Sequence, residues 1–171
     1  MVDPTVTRIL GIDPGMTGTG FSILEKTAGG LTYKHSGAIC PPRNIREGRL
    51  RLIYTELVKI VELYQPTAMA IEDTFFAKNA KSALQLGQAK GVAVLLGEMN
   101  HLPVFEYSPT AIKMAVVGFG VATKDQIKVM VPRILKLSKR IDSEHEADAI
   151  AVAICHAHSA RLRNQRLAVI K

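Results

Sequence analysis

Three carboxylates lie at the ends of, or inside, runs of apolar residues, where a charged side chain is difficult to accommodate. Asp13 ends the strand-like run TRILGID, Glu72 ends PTAMAIE, and Asp148 lies within the helix-like run HEADAIAVAIC. Burying a carboxylate costs free energy unless a partner neutralises it. A pair of divalent cations is one such partner, because clustered carboxylate oxygens bind them well. We therefore predict a fold that brings these distant segments together around metal ions.

The order of hydrophobic patterns along the chain predicts an α/β fold. Three strands separated by glycine-bearing turns come first, and two further strands follow, each after a helix. The predicted strands are TRILGID, GTGFSILEK, LTYKHSGAI, TAMAIE and PVFEYS. Antiparallel strands followed by alternating helices and strands indicate a mixed sheet covered by helices.

Apolar residues at three- and four-residue steps mark the predicted helices. The first lies within REGRLRLIYTELVKIVELY and stops before a proline, and the second spans roughly residues 80–99. Ser108 is expected to cap a short helix that starts with proline, and Thr123 to cap KDQIKVMVPRILKL. Pro132 inside that segment predicts a kinked or divided helix. The last helix is expected to begin near Ser143 or Glu144 and to continue past Ala153.

Length and composition favour one globular domain over residues 1–171, with a basic tail from about residue 160. The apolar content is 47%, yet the longest apolar runs are about seven residues, whereas a membrane helix needs roughly 20. No signal-peptide pattern precedes the first strand. Cys40 and Cys155 lack metal-site spacing and are expected to be free thiols. We therefore expect a cytoplasmic protein that makes no membrane contact.

The net charge of +7 and the pI of about 9.6 favour a polyanionic partner. Any acids that are buried around metals leave the remaining surface more basic still. Nucleic acid is the commonest polyanion in a cytoplasm. A generic basic enzyme remains the alternative, because charge alone does not distinguish the two.

The segment GIDPGMTGTGFSIL carries glycines at positions 15, 18 and 20, which would let backbone or a phosphate approach closely. Alone, it is ambiguous. Actin-like and sugar-kinase ATPases use a similar Asp-x-Gly-x-Thr turn for phosphate and magnesium, and a plain β-turn also fits. An ATPase of that type needs two such domains around its nucleotide, and 171 residues supply only one.

Aromatic and basic residues follow Glu72 in AIEDTFFAKNAKSALQLGQAKG. An aromatic side chain such as Phe75 can stack on an unpaired base while Lys78 and Lys81 hold phosphates. The alternative is that Phe75 or Phe76 anchors the loop in the core.

His145 and Asp148 are three residues apart, so they share one face in the first turn of the last helix. The helix dipole also favours an acid at that position, so Asp148 could have a purely electrostatic role. His156 and His158 are expected on or near the surface rather than at a metal. Lysines in isolation are usually solvated, which is the default for Lys113 and Lys124.

Taken together, these motifs resemble the RuvC family of bacterial Holliday-junction resolvases. The resemblance covers essentially the whole chain, from GIDPG through IED and FFAKNAKSALQLGQAKG to VVGFG and EADAIAVA. The long central run is the specific part. The resemblance implies an RNase H-like (retroviral integrase superfamily) fold, with a mixed five-stranded sheet and helices on both faces. It also implies a homodimer that uses Mg²⁺ or Mn²⁺ to nick two strands of like polarity, symmetrically, at a four-way DNA junction.

Carried over by position, the family's catalytic, metal-binding acids fall on Asp13, Glu72 and Asp148. The fourth family site, often aspartate, is His145 here, and histidine ligation favours Mn²⁺. The junction-stacking phenylalanine matches Phe75, and the active-site lysines match Lys113 and Lys124. The implied mechanism is hydrolysis with two ions per site, leaving 5′-phosphate and 3′-hydroxyl ends.

The resemblance also implies partnership with a RuvA–RuvB branch-migration complex. Small residues Ala83, Gly87 and Gly91, at four-residue steps on the second helix, suggest that helix as the dimer seam. The remaining alternative is a junction-binding protein without catalysis, for which the His145 position leaves some room.

Overall fold

The computed structural model describes residues 5–42, 44, 47–73, 79–138 and 140–169, with the backbone alone for 160–169. Its elements in chain order are β1 Thr7–Asp13, β2 Thr19–Thr27, β3 Gly30–Ile39, α1 Arg49–Tyr64, β4 Ala68–Glu72, α2 Ala80–Met99, β5 Val104–Tyr107, α3 Pro109–Val117, α4 Lys124–Ile134 and α5 Glu144–Val169. The backbone of α5 continues through the segment after about residue 160. None of the helices in the described residues has the length and apolar character that crossing a membrane requires.

The strands form the predicted mixed five-stranded sheet, and their order in it is β3-β2-β1-β4-β5. The first three strands pair antiparallel, whereas β4 pairs parallel with both β1 and β5. Parallel strands present their carboxyl ends at one edge of a sheet. Asp13 at the end of β1 and Glu72 at the end of β4 therefore emerge side by side.

Helices cover both faces of the sheet, which confirms the predicted architecture. On one face, α1 and α2 bury a core that includes Leu10, Ile12 and Leu57. On the other face, α3, α4 and α5 bury a second core around Ile9 and Ile150. The sheet is thus buried on both sides, and charged groups have room only at its edges.

The helix α5 lies unusually close to β1 and β2 because both surfaces carry small residues. A Cβ atom at Gly20 would collide with the backbone carbonyl of His145, and one at Gly11 would collide with that of Ala149. Ser22 Oγ donates a hydrogen bond of 2.9 Å to the same Ala149 carbonyl. Gly11 and Gly20, on either side of Asp13 in the sequence, thus leave room for the backbone of α5. The first turn of α5 therefore lies beside Asp13.

The helix starts agree with the predicted caps, whereas the helix is not divided at Pro132, one of the two outcomes predicted for that proline. Ser108 accepts a hydrogen bond from the backbone of Ala111, and Thr123 forms a capping box with Gln126. The helix α4 is not divided at Pro132 but continues to Ile134. The proline lies in the last turn, so its missing N–H removes only one hydrogen bond just before the helix ends.

Candidate active site

A cleft of about 360 Å³ opens where the carboxyl ends of β1 and β4 meet α3, α4 and α5. It brings together side chains that are far apart in the sequence. Its charged and ionisable lining residues are Asp13, Glu72, Lys113, Lys124, His145 and Asp148. The four residues predicted to be catalytic therefore share one cleft with the two predicted active-site lysines.

Asp13 and His145 form the closest pair in the cleft. His145 Nδ1 lies 2.8 Å from Asp13 Oδ2, and the Asp13 side chain is only 14% exposed. This hydrogen bond raises the pKa of His145 above its ordinary value, and burial opposes that effect. A Cβ at Gly18 would come within 2.5 Å of the His145 ring, so a glycine there leaves room for the imidazole. Sequence and packing together hold His145 against Asp13.

Glu72 is the most perturbed acid in the cleft. Burial, followed by the negative charges of Asp13 and Asp148, raises the pKa of Glu72 from 4.5 to about 7. Lys124 and Lys113 oppose this shift without cancelling it. Burial and the two neighbouring carboxylates therefore outweigh the two lysines at Glu72.

Asp148 is placed by the first turns of α5 and faces Lys124 from α4. Lys124 Nζ lies 3.4 Å from Asp148 Oδ2 and 3.5 Å from Glu144 Oε2. Burial, followed by the charge of Asp13, nevertheless raises the pKa of Asp148. The attraction of Lys124 is thus outweighed, as at Glu72.

The carboxylates and the imidazole of the cleft are chemically suited to a divalent cation, although their side chains do not converge on one point. Within the described parts of the chain, no three His, Cys, Asp or Glu side chains converge closely enough to hold a metal ion. Asp13 bonds His145, and Asp148 faces Lys124. Carboxylate oxygens with one imidazole suit Mg²⁺ or Mn²⁺, and a cation would offset the burial and the neighbouring negative charges that raise the pKa of Glu72. Binding one requires these side chains to exchange their present partners.

Comparison with known proteins identifies the family. The family model described as crossover junction endodeoxyribonuclease RuvC matches residues 9–156. The chain belongs to the RuvC family. It is 48% identical over 151 residues to crossover junction endodeoxyribonuclease RuvC of Haemophilus influenzae, covering 88% of this chain and 79% of the relative. It is 46% identical over 159 residues to that of Geobacter sulfurreducens, covering 92% and 96% respectively.

A solved RuvC structure has the same fold. Thermus thermophilus RuvC, in complex with Holliday junction substrate, superposes with a TM-score of 0.84 at 30% identity. The match covers 91% of this chain and 96% of that one. The RNase H-like fold predicted from the RuvC resemblance is thereby supported by a relative of known structure.

Of the other residues predicted to contact DNA, the structure describes Lys81. It is exposed in the first turn of α2 and is not among the residues that line the cleft. Phe75, Phe76 and Lys78 lie outside the described residues. Their predicted contacts with DNA remain predictions.

The expectation that His156 lies on or near the surface was wrong, although His158 is exposed as expected. His156 is 4% exposed, and its Nδ1 lies 2.8 Å from the Tyr107 hydroxyl. The Phe105 ring is 4.6 Å from its ring centre. The imidazole is buried because α5 packs on the sheet from the cleft as far as β5, which two histidines in sequence do not reveal.

Sequence reasoning missed Lys90, which fixes the chain immediately after Glu72. Lys90 Nζ on α2 lies 2.6 Å from Asp73 Oδ1 and 2.6 Å from Glu106 Oε2 on β5. Asp73 also donates its backbone N–H to the Tyr107 carbonyl at 2.8 Å. The sequence offered one signal for this contact: Asp73 follows β4 and Glu106 lies within β5, and two neighbouring acids favour a cation between them. Lys90 thus acts as a clamp that ties α2 to the ends of both strands.

We expect Lys90→Met to lower the free energy of unfolding by about 1–2 kcal/mol, since charged hydrogen bonds to half-buried partners are lost. The Asp73 and Lys90 side chains are 19% and 21% exposed, whereas Glu106 is 43% exposed and solvent screens its share. Urea denaturation measures the difference. Lys59→Met is the matched control, because its ion pair with Glu56 is exposed on both sides. Equal losses in the two variants would contradict the clamp.

Proposed function

We propose that this chain is a Holliday-junction resolvase that nicks two strands of like polarity symmetrically across a four-way DNA junction. The observation that carries the proposal is the convergence of Asp13, Glu72 and Asp148 on one cleft in a chain of the RuvC family. The Thermus thermophilus relative was solved with a Holliday junction substrate. A net charge of +7 suits a DNA ligand.

The cleft would hold two divalent cations, Mg²⁺ or Mn²⁺, through Asp13, Glu72, Asp148 and His145. When bound, such ions activate water and stabilise the charge that develops on a leaving oxygen. The carboxylates contribute by being partly buried and close together, so that they remain poorly neutralised until cations arrive. His145 must be neutral to donate a nitrogen lone pair, and its bond to Asp13 favours the protonated form. Hydrolysis would leave 5′-phosphate and 3′-hydroxyl ends.

Two lysines are placed where they can bind the phosphate backbone of the DNA. Lys113 and Lys124 line the cleft from α3 and α4. A cation there can hold a phosphate against the acids that would otherwise repel it. Lys124 now neutralises Asp148 and Glu144, and we propose that it turns to the DNA once metal ions take over that role.

We propose that the protein acts as a homodimer through α2, because two sites are needed for paired nicks. Gly87 and Gly91 face open space on this helix. Leu84 and Leu95 are 71% and 49% exposed there. Small residues flanked by exposed leucines would let two α2 helices pack closely and bury apolar surface.

Gly87→Trp is expected to convert the dimer to monomer, because the indole would hold the two helices apart. Sedimentation velocity measures the change, with association expected to weaken by roughly 5- to 150-fold, because overpacking is worth about 1–3 kcal/mol. Gly29→Trp is the control, since that glycine is exposed in the β2–β3 turn. If the Gly87→Trp variant dimerises as wild type does, α2 is not the dimer interface.

Cleavage of a synthetic four-way junction, compared with linear duplex of matching sequence, tests the function. We expect paired, symmetric nicks on the junction alone, with Mg²⁺ or Mn²⁺ and not with EDTA. Binding without cutting under either metal would indicate a junction-binding protein instead. Nucleotide-dependent thermal stabilisation would favour the ATPase interpretation of the segment after Asp13. Work alongside RuvA–RuvB in the cytoplasm is a further proposal that rests on family membership.

A further inference from the structure

The loop that joins α3 and α4, two helices that line the cleft, presents apolar side chains to solvent. Val121 is 87% exposed and Phe119 is 46% exposed, and Met114 at the end of α3 is also exposed. Apolar side chains of this size gain free energy when they are covered. We call Phe119 and Val121 the apolar tip.

The apolar tip stands on a loop that is held at several points. Gly118 ends α3 in the left-handed conformation with a φ of 90°, which favours glycine. A Cβ at Gly120 would lie 2.7 Å from Thr110 Cγ2, so the loop backbone rests on the first turn of α3. Ala122 is buried, and Thr123 caps α4. Phe119 and Val121 are therefore exposed by a fixed loop and not by a loose one.

The two helices joined by this loop both contribute cations to the cleft. Lys113 comes from α3 and Lys124 from α4, and both line the cleft. Lys128, one turn further along α4, pairs with Glu144. Asp125 is the exposed acid closest in sequence to the tip. The apolar tip thus lies on the loop that joins two helices whose lysines line the cleft, where the proposed function places DNA phosphates.

We propose that the apolar tip contacts bases of the DNA at the branch point. A duplex hides the faces of its bases, whereas a branch point exposes them where the strands part, so an aromatic ring can stack there. Apolar side chains also act as wedges between base steps in DNA that is kinked. The lysines on the two helices that flank the tip favour a polyanionic partner over an apolar protein surface. The inference rests on the proposed function and adds a substrate contact to it.

Equilibrium binding in EDTA, which prevents cleavage, tests the contact. The double variant Phe119→Ala, Val121→Ala should bind a four-way junction roughly tenfold more weakly than wild type, while duplex binding stays unchanged. Phe119→Trp in the presence of the native Val121 should keep full junction affinity, because indole stacks at least as well as a phenyl ring. Val129→Ala is the control, since this exposed valine lies about 140° around α4 from Lys124. Equal thermal unfolding of all variants shows that the fold is retained.

The outcomes separate this inference from the function on which it rests. If wild type cleaves junctions and the double variant binds them as tightly as wild type does, the apolar tip has no role and the function stands. If the double variant loses junction and duplex affinity alike, the tip supports general phosphate binding and the inference is wrong. If wild type neither binds nor cuts junctions, the proposed function fails first.

Discussion

Asp148→Asn is expected to slow junction cleavage by more than about a hundredfold while leaving junction binding intact. Loss of a group that only supports a metal ligand typically costs 10- to 100-fold, so loss of a ligand should cost more. Binding depends on neutralising phosphates, and removing a negative charge from the cleft does not weaken that. Cleavage under single-turnover conditions and an equilibrium binding measurement provide the two quantities.

Asp142→Asn is the matched control for this prediction. Asp142 is exposed before α5, outside the residues that line the cleft. It should cut and bind as wild type does. Joint loss of cutting and binding in Asp148→Asn would mean that this acid supports the fold or the DNA surface, and not the chemistry.

Glu72→Gln is expected to stabilise the metal-free protein above pH 7 while abolishing cleavage. The native pKa of Glu72 is raised from 4.5 to about 7, so the folded protein holds this proton more tightly than the unfolded chain. That stability is fully present below pH 4.5 and is lost as the pH rises through about 7. The glutamine side chain does not titrate, so the variant should gain on wild type by on the order of 2–3 kcal/mol between pH 5 and pH 8.

Urea denaturation in EDTA at pH 5 and at pH 8 measures this gain. Glu98→Gln serves as a control, because Glu98 is exposed on α2. Adding Mn²⁺ at pH 8 should stabilise wild type and have little effect on Glu72→Gln, since the cation neutralises the same repulsion. A stability difference that is the same at both pH values would show that burial and neighbouring acids do not perturb Glu72.

Local patterns were sufficient to predict most of the fold. The helix α2 covers the predicted residues 80–99, and Ser108 and Thr123 cap the helices that follow them. These features depend on residues within a turn or two of each other, so sequence spacing reveals them. Pro132 shows the limit of that approach. Its effect depends on where the helix ends, which packing decides.

Contacts between distant segments could not be predicted in the same way. Lys90 meets Asp73 and Glu106 only because β4 and β5 pair in parallel beneath α2. His156 is buried only because α5 reaches across to β5. The convergence of the three acids was predicted because each buried carboxylate needs a neutralising partner, and shared metal ions would serve all three. Their present partners, His145 for Asp13 and Lys124 for Asp148, depend on side-chain packing that no spacing encodes.

The close seating of α5 on β1 and β2 has a consequence for how the protein is made. Asp13 and Glu72 are synthesised with the strands, whereas His145 and Asp148 arrive only with the last helix. A product truncated before α5 would lack His145 and Asp148 and the helix that covers Gly11 and Gly20. We expect such a fragment to lack the proposed cleavage activity, and the apolar surface that it exposes would favour aggregation or degradation. The proposed active site would therefore be complete only after the last helix has been synthesised and has packed on the sheet.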